Sequence, residues 1–232
     1  MIFVTGDTHG KFSRIEDFCQ RFDIKHSDEH IMVILGDVGL NYYGDSSDRK
    51  RKKKLSKLPL TFFLVRGNHD ARPESTGLYD LVDAYGGKAY VEKDFPNLIF
   101  AMDGELYEFP NYGKALVLGG GFSVEKANGL DRKFFENEQP THTELIHFVD
   151  HALEENEKID FILTHVAPLG YEPSHLFLDF ILQEKVDKRV EIFLQGAEKA
   201  IEYKKWYFGH YHGDYINGNL RAMFNDIVEL GR

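Results

Sequence analysis

A single cysteine, Cys19, is all this 232-residue chain contains. That excludes an internal disulfide framework and any cage of thiolates around a metal. Cys19 stands among Ile15, Phe18 and Phe22 and reads as a small core residue rather than a nucleophile. No apolar run approaches the ~20 residues needed to span a bilayer, so no membrane partner is expected. The opening Met1-Ile2-Phe3-Val4-Thr5 lacks the basic flank, apolar stretch and small-residue cleavage site of a secretory signal, and a cytoplasmic protein is the plain inference. A basic surplus is also missing. The formal net charge of −10 argues against broad binding to duplex nucleic acid, which needs an electropositive footprint. One stretch runs the other way, Arg49-Lys50-Arg51-Lys52-Lys53-Lys54. It reads as the solvated face of a short helix or, if it lies beside a site, as a guide for an anionic substrate. No repeat, low-complexity stretch or linker interrupts the chain, and 42% hydrophobic content can fill one sizeable core. A single domain over residues 1–232 is expected.

What the chain does have is a pattern used five times. Ile2-Phe3-Val4, Ile31-Met32-Val33-Ile34-Leu35, Thr61-Phe62-Phe63-Leu64-Val65, Phe161-Ile162-Leu163 and Trp206-Tyr207-Phe208 are short apolar runs rich in β-formers. Such runs suit strands buried on both faces, as in a sheet covered by helices. Each is followed at once by a polar cluster: Gly6-Asp7-Thr8-His9-Gly10, Gly36-Asp37, Gly67-Asn68-His69-Asp70, Thr164-His165 and Gly209-His210-Tyr211-His212. Loops at the carboxyl ends of strands converge on a crevice in α/β sheets, so the five clusters should meet.

Helical patterns fill the gaps. Phe12, Ile15, Phe18, Cys19 and Phe22 keep a 3.6-residue period, as do Leu145, Phe148, Val149 and Leu153 after the capping box Thr141-His142-Thr143-Glu144. Leu182, Val186, Val190, Phe193, Leu194, Ala197 and Ile201 predict a longer helix. Shorter strands are expected at 98–101, 106–109 and 115–118, and Tyr215-Ile216, Asn217-Gly218 and Leu220 to Phe224 predict a hairpin. His142, His147 and His151 read as a solvated helix face, although 147 and 151 are spaced i, i+4.

Carboxylate oxygen and imidazole nitrogen without cysteine suit two divalent ions of the Mn, Fe or Zn kind. Asp37 is the candidate bridge; Asp7, His9 and His212 would complete one site, and Asn68, His165 and His210 the other. The Asp-x-His and His-x-His spacings point side chains i and i+2 to one side of an extended segment. After two aspartates and a hydroxide are counted, such a centre remains net positive and attracts phosphate even on an acidic protein. In-line attack on phosphorus by a hydroxide held between the ions is the expected chemistry. His69 is left to protonate the departing alkoxide. Asp70 either fixes that geometry or is a turn residue binding backbone amides.

In this order and at these strand ends, the clusters resemble the calcineurin-like metallophosphoesterase superfamily, with its Asp-x-His, Gly-Asp, Gly-Asn-His-Asp, lone His and Gly-His-x-His signatures. The resemblance implies an α/β fold, a four-layer α/β/β/α sandwich with two packed mixed sheets. It also implies two metals bound as above, His69 as catalytic acid with Asp37 and Asn68 beside it, and hydrolysis of a phosphomonoester or phosphodiester. Substrates in view are a small phosphoester, a nucleotide or a phosphoprotein; the alternative is a binding or scaffold module that kept the fold without catalysis. One departure bears on substrate. Gly36-Asp37-Val38-Gly39-Leu40-Asn41-Tyr42 lacks the second acid and the arginine that the Ser/Thr protein phosphatase branch carries, leaving Asn41 or Asp70 to orient His69. Gly119-Gly120-Gly121-Phe122-Ser123 through Lys126, with Arg132 beyond, resembles a loop of some bacterial and phage members; either Ser123, Lys126 or Arg132 meets the phosphate there, or the stretch is a strand end and a solvated loop.

Overall fold

Val4, Val33, Phe63 and Leu163 have no exposed surface, as strands covered on both faces require. The computed structural model describes residues 1–26, 30–127, 129, 133–154 and 159–232. Its first part runs β1 (Ile2–Thr5), α1 (Ser13–Arg21), β2 (Ile31–Leu35), α2 (Ser46–Leu55) and β3 (Thr61–Val65). A one-turn α3 (Pro73–Thr76) leads to β4 (Asp80–Ala84), β5 (Gly87–Val91), β6 (Leu98–Ala101), β7 (Leu106–Phe109) and β8 (Gly113–Leu118). Next come α4 (Val124–Ala127), α5 (His142–Glu154), β9 (Ile159–Thr164), α6 (Arg189–Ala200) and β10 (Tyr203–Phe208). The short strands β11 (Tyr215–Asn217), β12 (Leu220–Ala222) and β13 (Val228–Glu229) complete the order.

Two mixed sheets result, ordered β13-β1-β2-β3-β6-β5-β4 and β11-β12-β10-β9-β8-β7. Three apolar clusters fix the layering. Val4, Val33, Phe63, Val65, Val117, Leu163 and Tyr207 fill the space between the sheets. Phe12, Ile15 and Leu55 of the α1 and α2 region pack on Ile34, Phe62 and Leu64 of the first sheet. Phe148, Val190 and Leu194 of α5 and α6 pack on Leu118, Ile162 and Trp206 of the second. The order is therefore α/β/β/α, as the sequence implied, and each fully buried Phe or Leu contributes roughly 1.5–3 kcal/mol. Among the described residues no helix is long and apolar enough to cross a membrane.

Local signals explain most boundaries. The capping box starts α5: Thr141 N–H donates to Glu144 Oε2 at 2.6 Å and Glu144 N–H to Thr141 Oγ1 at 3.3 Å. The hairpin of β11 and β12 forms with Gly218 at φ +61° in its turn. The α6 helix is shorter than the periodicity predicts. The helix begins at Arg189, whose N–H donates to Asp187 Oδ1 at 3.1 Å, and Leu182 and Val186 flank a separate turn before it. The exposed β4 was not foreseen, because Asp80 and Asp83 break its apolar pattern; it is an edge strand, where charge discourages further pairing.

Buried in α6, Glu191 has an Oε2 with no hydrogen-bond partner among the described residues. Burial raises its pKa from 4.5 to about 7. A carboxyl group with a raised folded-state pKa favours the fold fully below its unfolded value and loses that contribution as pH rises through its folded value. Glu191→Gln should therefore stabilise the protein by roughly 2–3 kcal/mol at pH 8 and hardly at all at pH 4.5. Denaturant melts at both pH values test this, and an equal change at both would refute it.

Candidate metal centre

Strands β1, β2 and β3 are parallel neighbours in one sheet, and β9 and β10 in the other. Their carboxyl ends share one edge of the sandwich, and hydrogen bonds cross between the sheets there. His210 N–H donates to Asp7 Oδ1 at 2.9 Å, and His165 Nδ1 meets the Leu35 carbonyl at 2.8 Å. All five clusters meet, across two sheets rather than one.

Two groups of donors adjoin. In the first, His9 Nε2 lies 2.9 Å from His212 Nε2, and Asp7 Oδ2 lies 3.2 Å from His212 Nε2 and 3.9 Å from His9 Nε2. In the second, Asn68 Oδ1 lies 2.8 Å from His165 Nε2 and 3.1 Å from His210 Nδ1, which are themselves 3.3 Å apart. Asp37 Oδ1 lies 3.7 Å from His165 Nε2, and atoms of Asp7, Asp37 and His165 fall within 4.8 Å of one another. Asp37 thus adjoins both groups, the position a bridging carboxylate needs.

The residues fit divalent cations for a reason internal to the site. Asn68 Nδ2 donates to Ser123 Oγ at 2.9 Å, and Ser123 Oγ donates to Glu138 Oε2 at 2.6 Å. That chain fixes the amide with Oδ1 turned toward the two histidines. His165 Nδ1 can only donate to the Leu35 carbonyl, so in the neutral ring Nε2 presents a lone pair to Asn68 Oδ1. Two acceptors held 2.8 Å apart in a fully buried pocket repel unless a proton or cation joins them. Asp7 Oδ2 is likewise buried, and among the described residues its nearest polar neighbour is His212 Nε2 at 3.2 Å. Buried lone pairs that face one another without a donor between them are what a bound cation satisfies.

The backbone is held in an uncommon conformation here. His9, Asp37, His210 and His212 all have positive φ, between 45° and 71°. Each such non-glycine residue costs of order 1–3 kcal/mol and persists only where its surroundings enforce it. Glycine makes the approach possible: a Cβ on Gly67 would lie 2.0 Å from Asp37 Oδ1, and one on Gly36 2.0 Å from His165 Nδ1. Titration reflects the same crowding. Burial alone would raise the Asp7 pKa, but the hydrogen bond to His212 and the charges of His165, His212 and His9 hold it well below the usual carboxylate range. Burial, then the neighbouring His165, lowers His210 far below an ordinary imidazole. Its hydrogen bond to Asp7 raises His212.

His69 lies beside these groups. Its N–H donates to Asp37 Oδ1 at 2.8 Å, and its Nδ1 is buried without a hydrogen-bond partner among the described residues. Neither Asn41 nor Asp70 orients it. Asp70 accepts the backbone N–H groups of Val38, Gly39 and Gly67 at 3.1 Å each, and Asn41 Oδ1 accepts the Tyr79 hydroxyl at 2.9 Å. Burial, then the charge of Asp37, raises the Asp70 pKa to about 6. The acid facing His69 Nε2 is Glu125 of α4, at 3.7 Å. Spacing offered no sign of it.

Ser123 is completely buried behind Asn68, and Lys126 pairs with Glu138 at 2.8 Å; Arg132 lies outside the described residues. The basic run lies in α2 with three of its six charges paired to acids: Arg49 with Asp94 at 2.6 Å, Lys52 with Glu92 at 2.7 Å and Lys54 with Glu16 at 2.8 Å. Arg51 alone reaches toward the site, donating to the Gly39 carbonyl at 3.1 Å. A cleft of about 330 Å³ opens on the centre, lined by Asp37, Asn68, His69, His210 and His212 together with Leu176, Phe177, Leu178, Ile181 and Tyr211.

Solved structures resemble this one. TT1561 of Thermus thermophilus shares the fold at 15% identity, with a TM-score of 0.53 covering 96% of this chain and 87% of that one. The phosphopantetheinyl hydrolase PptH of Mycobacterium tuberculosis is 13% identical, with a TM-score of 0.45 over 96% and 87%. No curated protein matches the sequence. The model of the calcineurin-like phosphoesterase family, whose members typically bind divalent metals, matches residues 1–215, and this chain belongs to that family.

Proposed function

We propose that this chain is a dinuclear metal-dependent phosphoesterase acting on a small phosphoester, with residues 1–232 folded as one domain. Family membership carries metal-dependent phosphoester hydrolysis in general. The observation that supports the finer reading is the contact between Asn68 Oδ1 and the lone pair of His165 Nε2, which is relieved only by a shared proton or cation. Asp7, His9 and His212 would hold one ion, Asn68, His165 and His210 the other, with Asp37 common to both. Two such ions, of the Mn, Fe or Zn kind, would polarise the phosphoryl group and acidify attacking water.

The protein's own groups supply the rest. His69, lying over Asp37 and facing Glu125, delivers a proton to the departing ester oxygen. Ser123 and Glu138 lock the Asn68 amide, so its oxygen need not reorganise during the reaction. Leu176, Phe177, Leu178 and Ile181 line the cleft beside the centre and would take up an apolar part of the ester while excluding water. The cleft volume suits a small molecule better than a folded phosphoprotein. Support for one domain comes from β13 pairing with β1, which brings Val228 and Glu229 back beside Val4 and Phe3.

A panel of mono- and diesters assayed with each metal tests the activity. No turnover on any ester, with no metal retained after reconstitution, would overturn it and favour a binding module. His69→Ala should keep its metal and lose roughly 10²–10⁴-fold in kcat on alkyl esters, but far less on nitrophenyl esters, whose leaving group needs little protonation. Equal losses on both would exclude His69 as the acid.

A further inference from the structure

His147 and His151 stand one turn apart on α5, so their side chains share a face. Read from sequence as solvated, they converge instead on the segment entering β7. Their ring centroids are 4.2 Å apart. Glu105 Oε1 lies 3.3 Å from His151 Nδ1 and 3.9 Å from His147 Nε2, and the Gly104 carbonyl lies 3.2 Å from His151 Nδ1. The carboxylate is held from behind: Leu106 N–H donates to Oε1 at 3.0 Å and Lys88 N–H to Oε2 at 3.1 Å. Gly104, at φ +86°, lets the segment lie against the helix, where a Cβ would come within 2.6 Å of the Glu144 carbonyl. His147 Nε2 is buried without a hydrogen-bond partner among the described residues.

We propose that Glu105, His147 and His151 form a further divalent-cation site, suited to Zn²⁺, that ties α5 to β7. Two imidazoles and a carboxylate are a usual donor set for this ion. With bonds of about 2.0–2.2 Å, a tetrahedral site has donor–donor edges of roughly 3.3–3.6 Å. The 3.3 Å contact of His151 with Glu105 already has that length, and the 3.9 Å separation of His147 from Glu105 needs only a small inward shift. With the cation bound, the His151 proton resides on Nε2 and Nδ1 gives its lone pair. The His147 side chain remains 40% exposed, which leaves an entry path and room for water as a remaining ligand. The site shares no residue with the centre described above, so its test is independent of the proposed activity.

Wild type and His147→Ala/His151→Ala, each loaded with excess Zn²⁺ and desalted, should differ by one bound Zn²⁺ per chain. Hydrolysis of a nitrophenyl phosphoester should stay within about twofold, and the variant should lose part of the Zn²⁺-dependent rise in Tm. Equal Zn²⁺ contents would overturn the proposal. Should circular dichroism find the double variant unfolded, Glu105→Gln decides: the weakest Zn²⁺ equivalent should bind at least tenfold more weakly, and an unchanged Kd would overturn the site.

Discussion

An Asp37→Asn chain is expected to stay folded while losing most of its bound metal and more than ~100-fold of its phosphoesterase turnover. The substitution is nearly isosteric. Asn tolerates the left-handed conformation that Asp37 occupies at φ +45°, and its side-chain oxygen can still accept the His69 N–H. What disappears is charge. Of the seven side chains in the two donor groups, only Asp7 would remain anionic, among four histidines and two neutral amides. Two divalent ions so close together need a shared anion to offset their repulsion. Replacing groups one shell further out commonly costs 10–100-fold in affinity or activity, and a ligand common to both ions should cost more. Asp70 provides a second readout. Burial is the larger cause of its raised pKa, but the charge of Asp37 adds to it, so the value of about 6 should fall in the variant. Metal analysis, turnover and a melt in chelator test the prediction together. A fully loaded, active Asp37→Asn protein would rule out the proposed place of Asp37 between two ions.

Several features of this fold were readable because their causes are local. Ile31 to Leu35 must be a strand buried on both faces whatever it packs against, and Gly36 permits the close approach of a neighbouring side chain. Thr141 and Glu144 cap each other within one turn of helix. The donor clusters were readable for the same reason, each being a few residues long. The parts that escaped notice join residues far apart in sequence. Glu138 holds Ser123, which holds Asn68, across 15 and 55 residues, and only the packing of the two sheets brings them together. Glu105 is separated from His151 by the whole of β7 and β8, so the i, i+4 histidines carried no hint of their third partner. Asp70 adjoins His69 in sequence and Asn41 follows the second cluster, yet both are taken up by other partners, and a glutamate 56 residues away faces it. Periodicity also overran the start of α6, because the apolar repeat from Leu182 to Val186 is taken up by a separate turn before the helix begins at Arg189.

Arg66→Ala should destabilise the protein by about 3 kcal/mol and weaken metal binding, although the Arg66 guanidinium bonds to Asp103 and Glu138 rather than to any of the proposed ligands. The guanidinium is 2% exposed; its Nε and Nη2 donate to Asp103 Oδ2 at 2.9 and 2.7 Å, and its Nη1 donates to the Glu138 carbonyl at 2.6 Å. Asp103 Oδ1 accepts the Gly119 N–H at 2.6 Å, and the Gly120 N–H donates to the Arg66 carbonyl at 2.7 Å. Arg66 directly follows β3 of one sheet, and Gly119 directly follows β8 of the other, so this ion pair pins the sheets together at the edge that carries the site. Removing one partner of a buried pair costs roughly 3–5 kcal/mol, because the other charge is left without compensation. The lower end applies here, since Arg72 Nη1 still faces Asp103 Oδ2 at 3.8 Å. Even so, the loss is a large share of a typical stability of about 5–15 kcal/mol. The site is affected through Glu138, whose carbonyl loses a donor while its carboxylate is positioning Ser123 and, through it, Asn68. Arg66→Lys should recover little, because one ammonium cannot reproduce the fork that reaches Asp103 and Glu138 at once. Denaturant unfolding of the metal-free proteins, with metal titration of the folded ones, measures both effects. A loss below about 1 kcal/mol with metal affinity intact would mean that the sheets are held at this edge by their apolar core alone.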